Sequence, residues 1–315
     1  MMLRARVFGR VAGVAMVLLW VVQPAAADGL AQFEKAIKEA PPGALTYKSA
    51  KALGDDGFVL EDVVVKPPEA ATGAKTQPIA IKRVTVEDFD FAAVEKDTPP
   101  NFAKVKIEGM VITPHRAAGI DLAKLTGIDE ITADFQLDYR LDPERKTMTL
   151  KQFALDLNGL ARLEFSMVLE GVSADSVDKP EKAMNDATLR SASLVFEDHS
   201  LLGKVVPAAA KMQDMKPAAL VAMAKMMLGG LRDGQGPATL AVLDAIASFI
   251  EDYREPKGPL KLALDPPGKT SAAAVMDMKT PDEAFKALGL KVSYAGTRPQ
   301  TPALKSPPDK PAKRD

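Results

Sequence analysis

The chain has 315 residues, with 41 Lys and Arg against 42 Asp and Glu, so there is no basic excess of the kind nucleic-acid binding draws on. It has no cysteine, which excludes a disulfide framework, thiolate nucleophiles, iron–sulfur clusters and zinc sites with sulfur ligands. The fold must therefore rest on its apolar core, with His115 and His199 as its only imidazoles.

The first residues read as a cleavable secretory signal peptide, residues 1–27. Arg4, Arg6 and Arg10 precede an uncharged apolar stretch, Val11 to Val22, and Pro24 breaks the helix before Ala25, Ala26 and Ala27. The stretch is shorter than the roughly 20 residues of a membrane-spanning helix, so cleavage near Ala27 is expected to leave no transmembrane anchor. Taking Arg4, Arg6 and Arg10 from 41 leaves 38 basic residues against 42 acidic, a mildly acidic exported chain. The expected location is the periplasm.

One domain over residues 28–297 is expected. Asp28 to Ala40 has Leu30, Phe33 and Ile37 on one side and reads as an amphipathic helix ended by Pro41-Pro42-Gly43. The apolar period then falls to two. Leu45 to Leu53, Phe58 to Lys66, Pro78 to Phe91 and Phe102 to Thr113 read as strands, with loops between, Pro67 to Gln77 among them. In the third strand the apolar phase slips between Ile81 and Val84 and again between Val86 and Phe89, as bulges do.

The alternation is cleanest from Glu130 to Asp142, where Ile131, Ala133, Phe135, Leu137, Tyr139 and Leu141 share one face and polar residues the other. Thr147 to Leu157 returns. Asn158-Gly159 reads as a two-residue type I′ hairpin loop, since both residues tolerate positive φ. Leu160 to Val172 follows, with Leu163, Phe165, Met167 and Leu169 on its apolar face. One wet face makes this meander antiparallel. A loop from Ser173 to Ala187 leads to a strand from Thr188 to Glu197.

A helical block at 200–253 interrupts the strands. Its expected helices are Leu201 to Lys211, Pro217 to Leu228 and Pro237 to Tyr253, with Pro207 kinking or shortening the first and Gly229-Gly230 capping the second. Strands resume at Pro259 to Leu264 and Ser271 to Met278. Thr280-Pro281-Asp282-Glu283 opens a short helix that Gly289 closes, and Leu290 to Ala295 is a last strand. Residues 298–315 read as a disordered Pro/Lys-rich tail, solvated or in contact with an anionic surface or partner. The fold class is thus α+β: a long-stranded, bent antiparallel sheet with an inserted block of two to three helices.

No catalytic motif, metal site or cofactor site is found, so no cofactor is expected and the chain reads as a non-enzyme. Gly268-Lys269-Thr270 lacks the upstream glycine of a phosphate loop, because Ala263 stands there. Asp198-His199-Ser200 cannot form a catalytic relay from adjacent positions, and Asp198 or Ser200 instead caps the helix starting near Leu201. His115 after Pro114 reads as a solvated loop residue. Carboxylates leave open a hydrolase pair, the third-ranked reading.

Two apolar groups are the candidate binding residues. Leu220, Met223, Met226 and Met227 form a broad methionine-rich surface on the second helix, read as core packing against the sheet, as an adaptable lid, or as a thioether copper site. Phe135, Leu137, Phe165 and Met167 would form an apolar wall on the sheet. A lipid or other amphiphile is the expected partner, and the alternative is an envelope scaffold or assembly factor binding proteins.

The stretch Phe135-Gln136-Leu137-Asp138-Tyr139-Arg140-Leu141, followed by Leu155-Asp156-Leu157-Asn158-Gly159-Leu160, resembles β-rich periplasmic proteins of Gram-negative bacteria. The AsmA-like envelope proteins are the nearest of these, over Leu45 to Glu197. Unlike them, this chain is short and is expected to lose its N-terminal anchor. Leu189 to Tyr294 resembles a domain type of unknown function. The resemblance carries over no site residue.

Overall fold

A computed structural model describes residues 29–39, 41–66, 77–96, 98–113, 123, 126–173 and 186–298. The expected signal peptide, His115, most of the loops at 67–77 and 173–187, and all of the tail beyond Arg298 lie outside them.

The architecture is one 12-stranded antiparallel sheet, mostly a meander, with helices at its two ends. Helix α1 (Gly29–Glu39) precedes β1 (Leu45–Thr46) and β2 (Ser49–Leu53), which both pair with β3 (Gly57–Val65). Then come β4 (Ile79–Phe89), the short α2 (Phe91–Glu95), β5 (Phe102–Ile112), β6 (Ile131–Asp142), β7 (Thr147–Leu157), β8 (Ala161–Glu170) and β9 (Thr188–Asp198). Helices α3 (Leu201–Met212), α4 (Pro217–Gly230) and α5 (Pro237–Glu251) intervene before β10 (Leu260–Leu264). The last described elements are β11 (Thr270–Ser271), α6 (Ala272–Met276), α7 (Pro281–Ala287) and β12 (Lys291–Ser293). The expected α+β class and helical insertion are both seen.

Register puts most of the apolar residues of the long strands, and all of their aromatic ones apart from Phe102, on one face. A single row runs Phe58–Val86–Val105–Leu137–Phe153–Phe165–Leu194–Leu262–Val292 across nine strands. Keeping that face continuous over 11-residue strands requires bulges, because twist and pleat drift out of phase. Register shifts occur at every junction from β4–β5 to β8–β9.

The phase slip read in the third strand marks the first bend. In β4, Ile81, Val84, Val86 and Phe89 are all buried, and the β4–β5 register shifts between Val86 and Asp88. At the other slip, Lys82 lies between two left-handed residues, Asp62 (φ 49) on β3 and Gly109 (φ 65) on β5. Gly109 N–H leaves the ladder and donates to Asp134 Oδ1 at 2.7 Å. A Cβ on Gly109 would stand 2.8 Å from Lys82 Cβ. Gly109→Ala should therefore cost about 1–2 kcal/mol, mainly from the left-handed backbone, a loss that denaturant unfolding would measure.

Four sequence expectations need correction. The first strand is broken into β1 and β2. The β7–β8 turn is a three-residue loop, 158–160, in which Gly159 (φ 73) has positive φ and Asn158 does not. Leu160 is held out of the strand because its carbonyl accepts from the amides of His199, Ser200 and Leu201 at 2.9–3.1 Å. Ser271 to Met278 is mostly helix, since Ser271 Oγ accepts from Ala274 N–H and an alanine run follows. Helix α4 continues through Gly229 and Gly230, neither of which takes positive φ, whereas α3 spans Leu201–Met212 with Pro207 inside it, close to its expected extent.

Candidate functional site

The apolar face is covered unequally. Over β1–β6 it is sealed: Phe33 of α1 stacks on Phe58, and Leu60, Val84 and Ala133 are 0 % exposed. At the opposite margin α5 and α3 rest on the same face. There Phe249 packs edge-on against Phe196 and Tyr294, with Leu202, Leu260 and Val292 around them.

Between the two clusters the face changes character. Leu163, Phe165, Met167 and Leu169 of β8 and Leu189 and Leu194 of β9 belong to neither cluster and are all half-buried. Met148 and Leu150 of β7 continue the strip on one side, and Leu262 and Leu264 of β10 on the other. We call this strip, which lies on β7–β9 between the two clusters, the trough. At 10 residues β8 gives it a length of about 33 Å, and three strands give a width of about 10 Å. An apolar strip of about 330 Å² is of the size of the largest patch on a typical monomer, and such patches are often functional.

The four sheet residues nominated from sequence divide along this line. Phe135 is buried in the sealed cluster, edge-on to Phe153 at 5.3 Å, and Leu137 packs partly against that cluster. Phe165 and Met167 are on the trough floor. The helical candidates are elsewhere: α4 packs on α3 and α5, and Met223, Met226 and Met227 face outward while Leu220 is half-buried. The structure does not bring the two groups together. Leu189 and Leu194 were missed because Arg190 and Ser191 break the alternation where β9 bulges against β8.

Asp198 closes one end of the trough. It extends the apolar-face row Ala133–Leu157–Ala161, is buried, and its Oδ1 accepts from Leu202 N–H at 3.0 Å. With Leu160 O it satisfies the Leu201 and Leu202 amides that begin α3. Oδ2 has no hydrogen-bond partner among the described residues. The triad reading is thus disposed of: Asp198 is a cap, His199 is exposed, and Ser200 Oγ donates to Gly159 O at 2.7 Å.

Burial pushes the Asp198 carboxyl above its usual 3.8, although the amides of Leu202 and Leu201 and the nearby His199 pull the other way. The unfolded chain therefore ionises this group first as pH rises. Its effect on stability is neutral below 3.8 and becomes a cost as pH rises through the raised value. Asp198→Asn keeps the Oδ1 acceptor and should flatten that part of the stability–pH curve. Urea unfolding of both proteins between pH 4 and pH 8 measures it.

The opposite face is charged and satisfied within itself. A shallow basin of about 530 Å³ over β4–β7 is lined by Lys104, Arg140, Arg145 and Lys151 together with Asp88, Asp138 and Asp142. Arg140 pairs with Asp88 at 3.0 Å, Lys151 with Asp138 and Arg145 with Asp142 at 3.7 Å, and Lys104 with Glu87. Such paired surface charge suits a solvated face. Among the described residues no group of three or more His, Cys, Asp or Glu is placed to hold a metal ion. Nor is any described helix long and apolar enough to cross a membrane.

A family model described only as an uncharacterized protein matches residues 154–295, from within β7 to just past β12. That segment includes β8, β9, the helical block and the second cluster. No curated protein matches the chain. Neither comparison supports the AsmA-like resemblance.

Proposed function

We propose that this is an exported, non-catalytic envelope protein that holds a lipid or other amphiphile in the trough on β7–β10. The observation that carries the reading is the half-burial of the β8 and β9 apolar residues between the sealed cluster over β1–β6 and the smaller cluster around Phe249. A folded core of this quality elsewhere in the chain shows no shortage of apolar side chains to close the strip. Leaving it open costs hydrophobic stabilisation, which binding an acyl chain would recover at about 25 cal/mol per Å² buried.

The geometry suits an extended chain. The floor alternates large side chains on parallel rows, Phe153–Phe165–Leu194 and Leu150–Met167–Ala192, with no charged residue facing inward along β8. Met148 and Met167 add unbranched side chains that can repack around varied tails. Asp198 and the start of α3 supply the one polar end. An AsmA-like relationship would accord with this reading but is not needed for it.

Solvent extraction of protein purified from its natural host, followed by mass spectrometry, tests the proposal. A lipid species enriched over a control exported protein is expected. Extracts no richer in lipid than the control would contradict it.

A further inference from the structure

Helix α4 is built inside out for a surface helix. Its only charged residue, Lys225, turns inward, with Nζ 2.9 Å from Glu251 Oε2 of α5, and Val221 is buried against its neighbours. The outer side consists of Ala218, Ala219, Ala222, Met223, Met226 and Met227, all exposed. Met226 and Met227 are 75 % and 68 % exposed. An ordinary surface helix places its charges on that side.

The exposed charge of the α3–α4 hairpin is mostly of one sign. Lys204, Lys211 and Lys216 are exposed and make no ion pair among the described residues. Asp214 is the only acid between Leu201 and Leu231. Lys216 is the residue just before α4, while Lys204 and Lys211, seven residues apart, share a side of α3. Met212, also exposed, ends α3 at the turn between the two helices. The hairpin is thus cationic on a chain that is acidic overall.

We propose that the outer side of the α3–α4 hairpin docks on an anionic bilayer surface. The methionines enter the boundary between headgroups and acyl chains, and the lysines meet lipid phosphates. A protein partner fits less well. Residues 201–231 contain no Trp, Tyr, Phe or Arg, and the anchors of protein interfaces are drawn largely from Trp, Tyr and Arg. This docking goes beyond a single amphiphile held in the trough, and it stands whether or not the trough is filled.

Vesicle flotation tests it, using the naturally processed protein with its N-terminus established by mass spectrometry. Wild-type protein should float with phosphatidylglycerol-containing vesicles and not with phosphatidylcholine alone, and added salt should weaken binding. Met226→Glu with Met227→Glu should reduce vesicle affinity roughly tenfold or more, with an unchanged thermal melt because both side chains are exposed. Replacing Lys204, Lys211 and Lys216 by Gln should lower affinity roughly fivefold for each lysine removed. Failure of the wild type to bind anionic vesicles, or binding undiminished in the methionine variant, overturns the proposal. So does a methionine variant that turns a dimer into a monomer on sedimentation with no change in flotation, which would make a second copy the occupant.

Discussion

Leu60→Ala is expected to lower the unfolding free energy by about 3 kcal/mol, while Phe165→Ala, a larger deletion, costs only about 1 kcal/mol. Leu60 is 0 % exposed on β3, enclosed by the cluster that α1 helps to seal. Removing its side chain leaves a cavity among closely packed buried residues, so little of it can collapse. Phe165 points to the same side of the sheet five strands away, but it is half-buried and outside both clusters. Its removal exposes no new enclosed volume. Chemical denaturation of the two variants reads the contrast directly, and equal large losses would mean the β8 strip is closed core.

Gly289→Ala should cost about 3 kcal/mol or more, the most severe effect expected of a single added methyl group. Gly289 has φ 58, a left-handed conformation that charges an L-residue about 1–2 kcal/mol. A Cβ there would also stand 2.0 Å from Asp265 O, a backbone atom that cannot swing aside as a side chain can. This is the point where α7 is tied to the end of β10: Asp265 N–H donates to Leu288 O at 3.0 Å. The strain therefore falls on the joint that sets β12 beside β10. Thermal unfolding of the variant should show a loss, and one below about 1 kcal/mol would contradict this close approach.

Much of the sheet could be read from residue order, for reasons visible in single strands. A strand with one wet face writes its alternation plainly, as Ile131 to Leu141 does, and its ends are seen where expected. Even the bends left a trace, since the slip at Val86–Phe89 marks the β4–β5 register shift and the one at Ile81–Val84 lies between the left-handed Asp62 and Gly109. Local capping chemistry was similarly legible in Asp198, Thr280 and Gly289. What could not be read was decided at a distance. Leu160 leaves β8 because the α3 amides claim its carbonyl, and no neighbour in sequence announces that.

The candidate site follows the same division. Phe135 and Phe165 carry the same local pattern, yet one is sealed and the other half-open, because α1's cluster ends near β7 and α5 begins near β9. Which part of a uniform apolar face is covered depends on where other elements dock. The methionines show the reverse case. Periodicity placed them on one helix surface, but only the inward turn of Lys225 to Glu251 leaves that surface facing solvent.

Photocrosslinking at adjacent positions of β8 tests the trough most directly. A photoreactive phenylalanine analogue at position 165 projects from the apolar face, whereas at position 166 it projects from the polar face beside Ser193. After irradiation in the host cell, a lipid adduct should form at 165 and be absent at 166. Adducts at neither position, or equally at both, would contradict an amphiphile held on that face.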